Sequence, residues 1–172
     1  MKMRLIFIAV ALLAVASLTL AQSDKKKMAG HSDMKAPSHV MVSAGDVAWG
    51  PGPPSLPPGA QLAVVEGDPT KAGSTYTLRA KMPDGYRVPP HWHPVTENVT
   101  VLEGSLYVGV GDKFDESAGR ELTVGSFASM PKGVRHFAWA KGETVIQVHG
   151  VGPFDVVYVN PADDPRKKSS SK

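Results

Sequence analysis

Four side chains that can bind a metal ion lie at informative spacings in this sequence. His91 and His93 flank Trp92. Because side chains alternate along a β-strand, both imidazoles would point to one face of the strand and Trp92 to the other. Glu97 follows four residues after His93. His136 comes much later in the chain, separated by two residues from a preceding Pro-Lys-Gly turn.

Three imidazoles and one carboxylate form a mixed nitrogen and oxygen ligand set. Such donors suit iron, manganese, nickel, copper or zinc, and they do not suit calcium. The chain has no cysteine, so a metal site must use histidines and carboxylates. Each residue alone has an ordinary explanation, because a single histidine on a strand is more often a surface residue than a ligand. The combination predicts a site for one divalent transition metal.

The sequence around these residues resembles the two motifs of the cupin superfamily. Residues 85–104 contain a glycine, five residues, His-x-His, three residues, a glutamate, six residues and a glycine, as the first motif does. Residues 125–136 are similar to the second motif, including its Pro-x-Gly turn. One position departs from the family pattern, because Ala140 stands where the family usually has asparagine. That asparagine is not a usual metal ligand, so the departure does not remove the site.

The resemblance implies an all-β fold, a single antiparallel β-barrel of the jelly-roll type with one metal ion near its centre. Transferred residue by residue, the family's metal ligands are His91, His93, Glu97 and His136. Cupins with this ligand set include dioxygenases, oxalate-type decarboxylases and isomerases. We therefore predict a dioxygenase-like, metal-dependent oxidoreductase that acts on a small oxygenated substrate, with Glu97 as both metal ligand and catalytic general base.

Two other functions stay open at this point. A non-catalytic barrel would bind a small molecule or the metal and act as a sensor. A sugar-type isomerase or epimerase would depend on acid–base pairs more than on a metal, and the complete ligand set argues against it.

A second group of polar residues is a candidate for lining the pocket. In residues 144–150, Gln147 and His149 share one face of a predicted strand. If that face is inward, both side chains contact the substrate or support the metal ligands. If it is outward, they are ordinary surface residues, and we favour the inward orientation.

The remaining sequence predicts the elements that hold these residues. The chain contains 17 glycines and 15 prolines, a turn-rich composition that is typical of many short strands. We expect a first strand at residues 39–49 and a rigid loop without sheet pairing at residues 50–59, which contain five prolines. Further strands are predicted at residues 61–66, 74–81, 96–102, 105–110, 121–123, 126–130, 135–140, 144–148 and 155–159.

The two ends of the chain have different compositions from the centre. A positive start, an apolar run and small residues up to Ala21 predict a signal peptide at residues 1–21 and hence a periplasmic or secreted protein. An uncleaved membrane anchor is the alternative. Residues 22–38 are predicted to be a flexible linker, with copper binding by Met28, His31 and Met34 as a minor hypothesis. The barrel domain would span residues 39–160, and a basic, disordered tail would span residues 161–172.

Charge indicates which partners to expect. Residues 36–165 carry nine basic and fourteen acidic residues, a net charge of −5, so the high isoelectric point comes from the ends of the chain. This predicts no nucleic-acid surface on the folded domain. We expect a small-molecule partner, no stable membrane insertion once the signal is removed, and a homodimer joined through edge strands.

Overall fold

The structure is a computed structural model that describes residues 39–168. The predicted signal peptide, the predicted linker with its hypothetical copper ligands, and residues 169–172 lie outside the described residues. The described part contains nine strands: β1 (Gly50–Pro51), β2 (Gln61–Gly67), β3 (Thr75–Met82), β4 (Arg87–Trp92), β5 (Glu97–Val110), β6 (Arg120–Thr123), β7 (Phe127–Met130), β8 (His136–Val151) and β9 (Val157–Tyr158).

All strand pairs are antiparallel and form one curled sheet. The strands follow the order β1-β2-β3-β8-β4-β9, and β5 pairs with β6, β7 and β8. Helical structure in the described part is confined to three 3-10 turns, Ala44–Asp46, Glu116–Ala118 and Pro161–Asp163, and to the short helix α1 (Pro165–Lys168). The predicted all-β, antiparallel barrel architecture is therefore confirmed.

Strands β5 and β8 are longer than predicted. The sequence suggested that turns at Glu103–Gly104 and Lys141–Gly142 end four separate strands, but the structure has two continuous strands with register shifts at these points. Gly104 has a φ of +72°. A Cβ atom there would lie 2.3 Å from the backbone oxygen of Glu143. Glycine at this position therefore marks a bulge where two strands approach closely, and not the end of a strand.

Three other predictions about the fold are wrong. Residues 39–49 contain a 3-10 turn and no strand, whereas the proline-rich loop does contribute a strand, β1, which pairs with β2. Pro51 is tolerated in β1 because the strand lies at the end of the sheet order. The predicted disordered tail starts too early, since residues 161–168 are structured. Arg166 there contacts Asp155 at 3.1 Å and Asp164 at 2.9 Å.

The hydrophobic core lies inside the curled sheet. Its members come from the alternating inward positions of the long strands, and three of them, Tyr76, Val101 and Ala140, are each at most 2% exposed. The Phe137 ring packs closely over Gly109. Phe127 of β7, by contrast, is 57% exposed. Among residues 39–168, no helix has the length and apolar character needed to span a membrane.

Candidate metal centre

The ends of three strands bring the four predicted metal ligands together. His91 lies near the end of β4, His93 follows directly after this strand, Glu97 begins β5 and His136 begins β8. His91 is the sheet partner of His136. Residues far apart in the chain therefore become neighbours because β4 and β5 both pair with β8.

The three imidazole rings form a tight cluster. Their ring centroids are 4.2 Å apart for His91 and His136, 5.0 Å for His91 and His93, and 5.2 Å for His93 and His136. One ring nitrogen from each histidine lies within 4.8 Å of the other two. The Oε2 atom of Glu97 lies 3.3 Å from Nε2 of His93 and 3.4 Å from Nε2 of His136. All four residues are at most 8% exposed.

A backbone carbonyl holds the outer nitrogen of every ring. The Nδ1 atom of His91 lies 2.7 Å from the Pro89 oxygen, that of His93 lies 2.8 Å from the Asp155 oxygen, and that of His136 lies 3.1 Å from the Val134 oxygen. A carbonyl only accepts hydrogen bonds, so each Nδ1 carries the hydrogen and donates it. In a neutral ring the Nε2 lone pair then points inward, which is the tautomer and orientation that a metal ligand requires.

One polar contact in the cluster is stable only with a shared proton or a metal ion. Within the described residues, Nε2 of His93 is buried without a hydrogen-bond partner, although it lies close to the carboxylate of Glu97. Two acceptors at this distance repel each other unless a proton or a metal ion lies between them. The residues present therefore fit a bound metal cation, and the donor set suits a transition metal.

Burial and mutual charge shift the pKa values in this cluster. Burial would raise the pKa of Glu97, but interactions with the nearby imidazoles of His136 and His93 outweigh it and hold the pKa well below its usual range. Burial would lower the pKa of His93, and Glu97 reverses the direction, so this pKa is raised. Burial, together with repulsion from His136 and His93, lowers the pKa of His91 to about 3. Without a metal, a proton is therefore held between His93 and Glu97.

A cavity of about 270 Å³ opens beside the cluster and reaches the core. Its wall is largely apolar and includes aliphatic side chains from β3, β5 and β8. Phe154 stacks on His93 with ring centroids 4.5 Å apart. The cavity is slightly smaller than most sites for drug-sized ligands, so it suits a small molecule.

The structure does not bring the other predicted pocket residues to this cavity. Ile146 and Val148 of β8 face the cavity, so Gln147 and His149 between and after them face the other way. Gln147 accepts a hydrogen bond from Arg79 at 3.2 Å. The expected inward orientation of Gln147 and His149 is therefore wrong. Both sets of alternate positions in this strand contain apolar residues, and the sequence pattern did not distinguish the two faces.

Two contributors to the site, Phe154 and the Asp155 carbonyl, were not anticipated from the sequence. Phe154 packs on His93, and the Asp155 carbonyl orients the same ring. Tyr76 is 2% exposed, and within the described part of the chain its hydroxyl has no hydrogen-bond partner. Burial, followed by the charge of Glu97, raises the pKa of Tyr76. The role of a backbone carbonyl cannot be recognised from the residue type. An aromatic residue in a β-rich chain is predicted first to belong to the hydrophobic core.

Comparison with known proteins agrees with this geometry. A family model described as a cupin domain matches residues 78–157, which include all four clustered residues. Residues 78–157 of this chain are therefore similar to a cupin domain. Within this chain, 59 residues are 44% identical to the germin-like protein 2-3 of Oryza sativa subsp. japonica, a match that covers 33% of this chain and 26% of the relative. The chain thus matches about a quarter of the length of that curated relative.

Solved structures also resemble this chain in fold. The polyketide cyclase RemF from Streptomyces resistomycificus has a TM-score of 0.57 at 20% identity, and the match covers 77% of this chain and 94% of RemF. A candidate acetylacetone dioxygenase from Methylibium petroleiphilum PM1 has a TM-score of 0.56 at 16% identity, and the match covers 78% of this chain and 94% of that one. At these identities the similarity concerns the jelly-roll fold and not the reaction.

Proposed function

We propose that this protein is a metal-dependent oxidoreductase of the dioxygenase-like type that acts on a small oxygenated substrate. One divalent transition metal would be held by the Nε2 atoms of His91, His93 and His136 and by the carboxylate of Glu97. The observation that carries the proposal is that all three rings have their Nδ1 atoms committed to backbone carbonyls. Their Nε2 atoms are therefore free for a common cation beside Glu97.

The residues of the site would have distinct roles. The metal would supply Lewis acidity and, if it is redox-active, electron exchange with dioxygen. The carbonyls of Pro89, Asp155 and Val134 fix the ring orientations. Glu97 supplies the negative charge in an apolar surrounding, and it can accept a proton from an acidic group of the substrate. The apolar wall excludes water from these groups.

Elemental analysis and oxygen uptake together test this proposal. The protein purified from its native compartment should contain one transition metal ion per chain, and His136→Ala should lose it. Samples loaded with Fe(II), Mn(II), Ni(II), Cu(II) or Zn(II) would then be compared for dioxygen consumption with phenols, diketones and thiols. Uptake with at least one redox-active metal is expected. A metal-containing protein that consumes no dioxygen with any of these compounds would contradict the oxidoreductase assignment.

The alternative is a non-catalytic module that binds or senses a small molecule. One observation favours it: Asp155, the other carboxylate among the described cavity-lining residues, is already engaged by Arg166 and by the backbone nitrogen of Val156. Glu97 is then the single carboxylate available for proton transfer. Tight binding of a compound that mass spectrometry recovers unchanged would support the alternative over the enzyme.

Export and self-association are also part of the proposal. We infer a periplasmic or secreted location from the apolar segment that ends at Ala21, and mass spectrometry of the mature protein should find Gln22 as its first residue. An intact N-terminus in the membrane fraction would support the anchor instead. A homodimer would be recognised by its mass in sedimentation experiments, and a monomer at micromolar concentration would contradict it.

A further inference from the structure

The cavity beside the metal centre has an unusual balance of charge. Among the lining residues that the structure describes, none is a lysine or an arginine, and two are carboxylates. Asp155 is compensated by Arg166 at 3.1 Å. Glu97 therefore provides the uncompensated negative charge inside the cavity, and the bound metal ion would provide the balancing positive charge.

Most of the polar groups of the wall are already committed to hydrogen bonds within the protein. The hydroxyl of Tyr86 donates to the Pro57 carbonyl, and each Nδ1 of the clustered histidines donates to a backbone oxygen. The hydroxyl of Thr70 donates to Asp68 on an exposed loop. The deeper wall is hydrocarbon, with Leu78, Met82, Val88, Val99, Leu106 and Ile146 among its members.

These two features define the ligand. A divalent ion and Glu97 leave one net positive charge, which a single anionic group of the ligand neutralises. A second negative charge would be buried among hydrocarbon groups without a cation, which is strongly unfavourable. We propose that the site selects small chelating molecules that carry at most one negative charge and a hydrocarbon body. This inference rests on the proposed metal centre.

Three 2-oxo acids with the same chelating end test the selection. They are 2-oxopentanoate, which has a hydrocarbon tail, 2-oxoglutarate, which has a carboxylate tail, and the 5-methyl ester of 2-oxoglutarate, which has a larger but uncharged tail. Binding to the Co(II)-loaded protein would be followed by the change in its visible absorption. We expect 2-oxoglutarate to bind on the order of 100-fold more weakly than 2-oxopentanoate. The ester should bind more tightly than 2-oxoglutarate despite its size.

Met130 offers a matched pair of variants. It pairs with Glu97 across β5 and β7 and lines the cavity, and it is only partly buried. Met130→Lys would place a cation at the wall of the cavity with little change in side-chain length. The affinity for 2-oxoglutarate should then rise relative to 2-oxopentanoate, whereas Met130→Leu should keep the preference of the parent protein.

The outcomes separate this inference from the proposed metal centre. Elemental analysis of each sample reports whether the metal is bound. Failure to retain Co(II) would overturn the metal centre on which the inference rests. Equal affinities for the three acids on fully loaded protein would overturn the inference alone, and so would tighter binding of 2-oxoglutarate. If Met130→Lys does not fold, the affinities of the parent protein for the three acids still test the proposed selection.

Discussion

The Nε2 atom of His93 lies 3.3 Å from the Oε2 atom of Glu97, and the Nδ1 atom of the same ring lies 2.8 Å from the Asp155 carbonyl. The carbonyl fixes the hydrogen on Nδ1, so a neutral His93 presents a lone pair to a carboxylate. That contact is stable only with a shared proton or a metal ion. The proposed function depends on this relationship.

Removing the carboxylate should weaken metal binding and leave the fold intact. Glu97→Gln keeps the shape of the side chain but removes the charge that balances the cation. Loss of partners outside the ligand set typically costs 10–100-fold in affinity, so loss of a direct ligand should cost more than about 100-fold. Competition with a chelator of known affinity measures the change.

A control for this variant is present in the same chain. His149 lies on the face of β8 away from the cavity, and His149→Ala should bind the metal as the parent protein does. Equal losses of metal in Glu97→Gln and His149→Ala would count against the proposed ligand set.

The metal-free protein should lose stability as the pH falls below about 6.5. The pKa of His91 is lowered to about 3 in the folded protein, from the usual histidine value of 6.5. Between these values the unfolded chain binds a proton that the folded chain does not, so acid favours unfolding, by up to about 1.4 kcal/mol per pH unit. Urea unfolding at pH 6.5 and pH 5.0 measures the effect.

The shifted pKa values of His93 and Glu97 do not produce the same loss of stability between pH 6.5 and pH 5.0. The raised pKa of His93 stabilises the folded state at low pH, and this contribution is lost only as the pH rises through the raised value. The lowered pKa of Glu97 stabilises the folded state at pH values above the usual glutamate pKa of 4.5. His91→Asn should therefore unfold with a smaller difference between pH 6.5 and pH 5.0. The same difference in both proteins would show that His91 is not the group responsible.

The buried hydroxyl of Tyr76 should contribute nothing to stability. Because no described residue accepts its hydrogen bond, Tyr76→Phe should leave the free energy of unfolding unchanged or raise it by up to about 1 kcal/mol. Tyr158 is the matched control, since its hydroxyl donates to the Ser55 carbonyl at 2.8 Å. Tyr158→Phe should lower the free energy of unfolding by about 1 kcal/mol. Equal losses in both variants would mean that Tyr76 has a partner, such as an ordered water.

Gly109 should not tolerate even one added methyl group. A Cβ atom there would lie 2.2 Å from the ring of Phe137. Phe137 is 1% exposed and packs against Phe114 and Trp139, so its ring has no room to move. Gly109→Ala should lower the free energy of unfolding by about 1–3 kcal/mol. Gly45→Ala, which adds a Cβ with no atom within 4 Å, should change it little in the same thermal or denaturant unfolding. Two variants of equal stability would argue against this packing.

The sequence predicted which residues cluster better than it predicted the strands that carry them. His91, His93, Glu97 and His136 could be found because ligand type and spacing are written directly in the chain. Strand lengths could not, because a glycine such as Gly104 gives the same signal for a bulge as for a turn. Local patterns carry no information on which distant strand packs opposite.

The wall of the cavity was beyond the reach of sequence pattern for a related reason. Both faces of the segment at Gln147 and His149 carry apolar residues, so alternation alone did not say which face is inward. Packing of Phe154 on His93 joins residues that are 61 positions apart in the chain and depends on the path of the intervening chain. Such long-range contacts are decided by the whole sheet.

Anomalous diffraction from crystals of the protein as purified from its native compartment, recorded at the absorption edge of the metal found by elemental analysis, tests the central claim most directly. We predict one strong peak per chain, at bonding distance from the Nε2 atoms of His91, His93 and His136 and from a carboxylate oxygen of Glu97. A peak elsewhere in the chain, or metal-free crystals from protein never exposed to a chelator, would contradict the account.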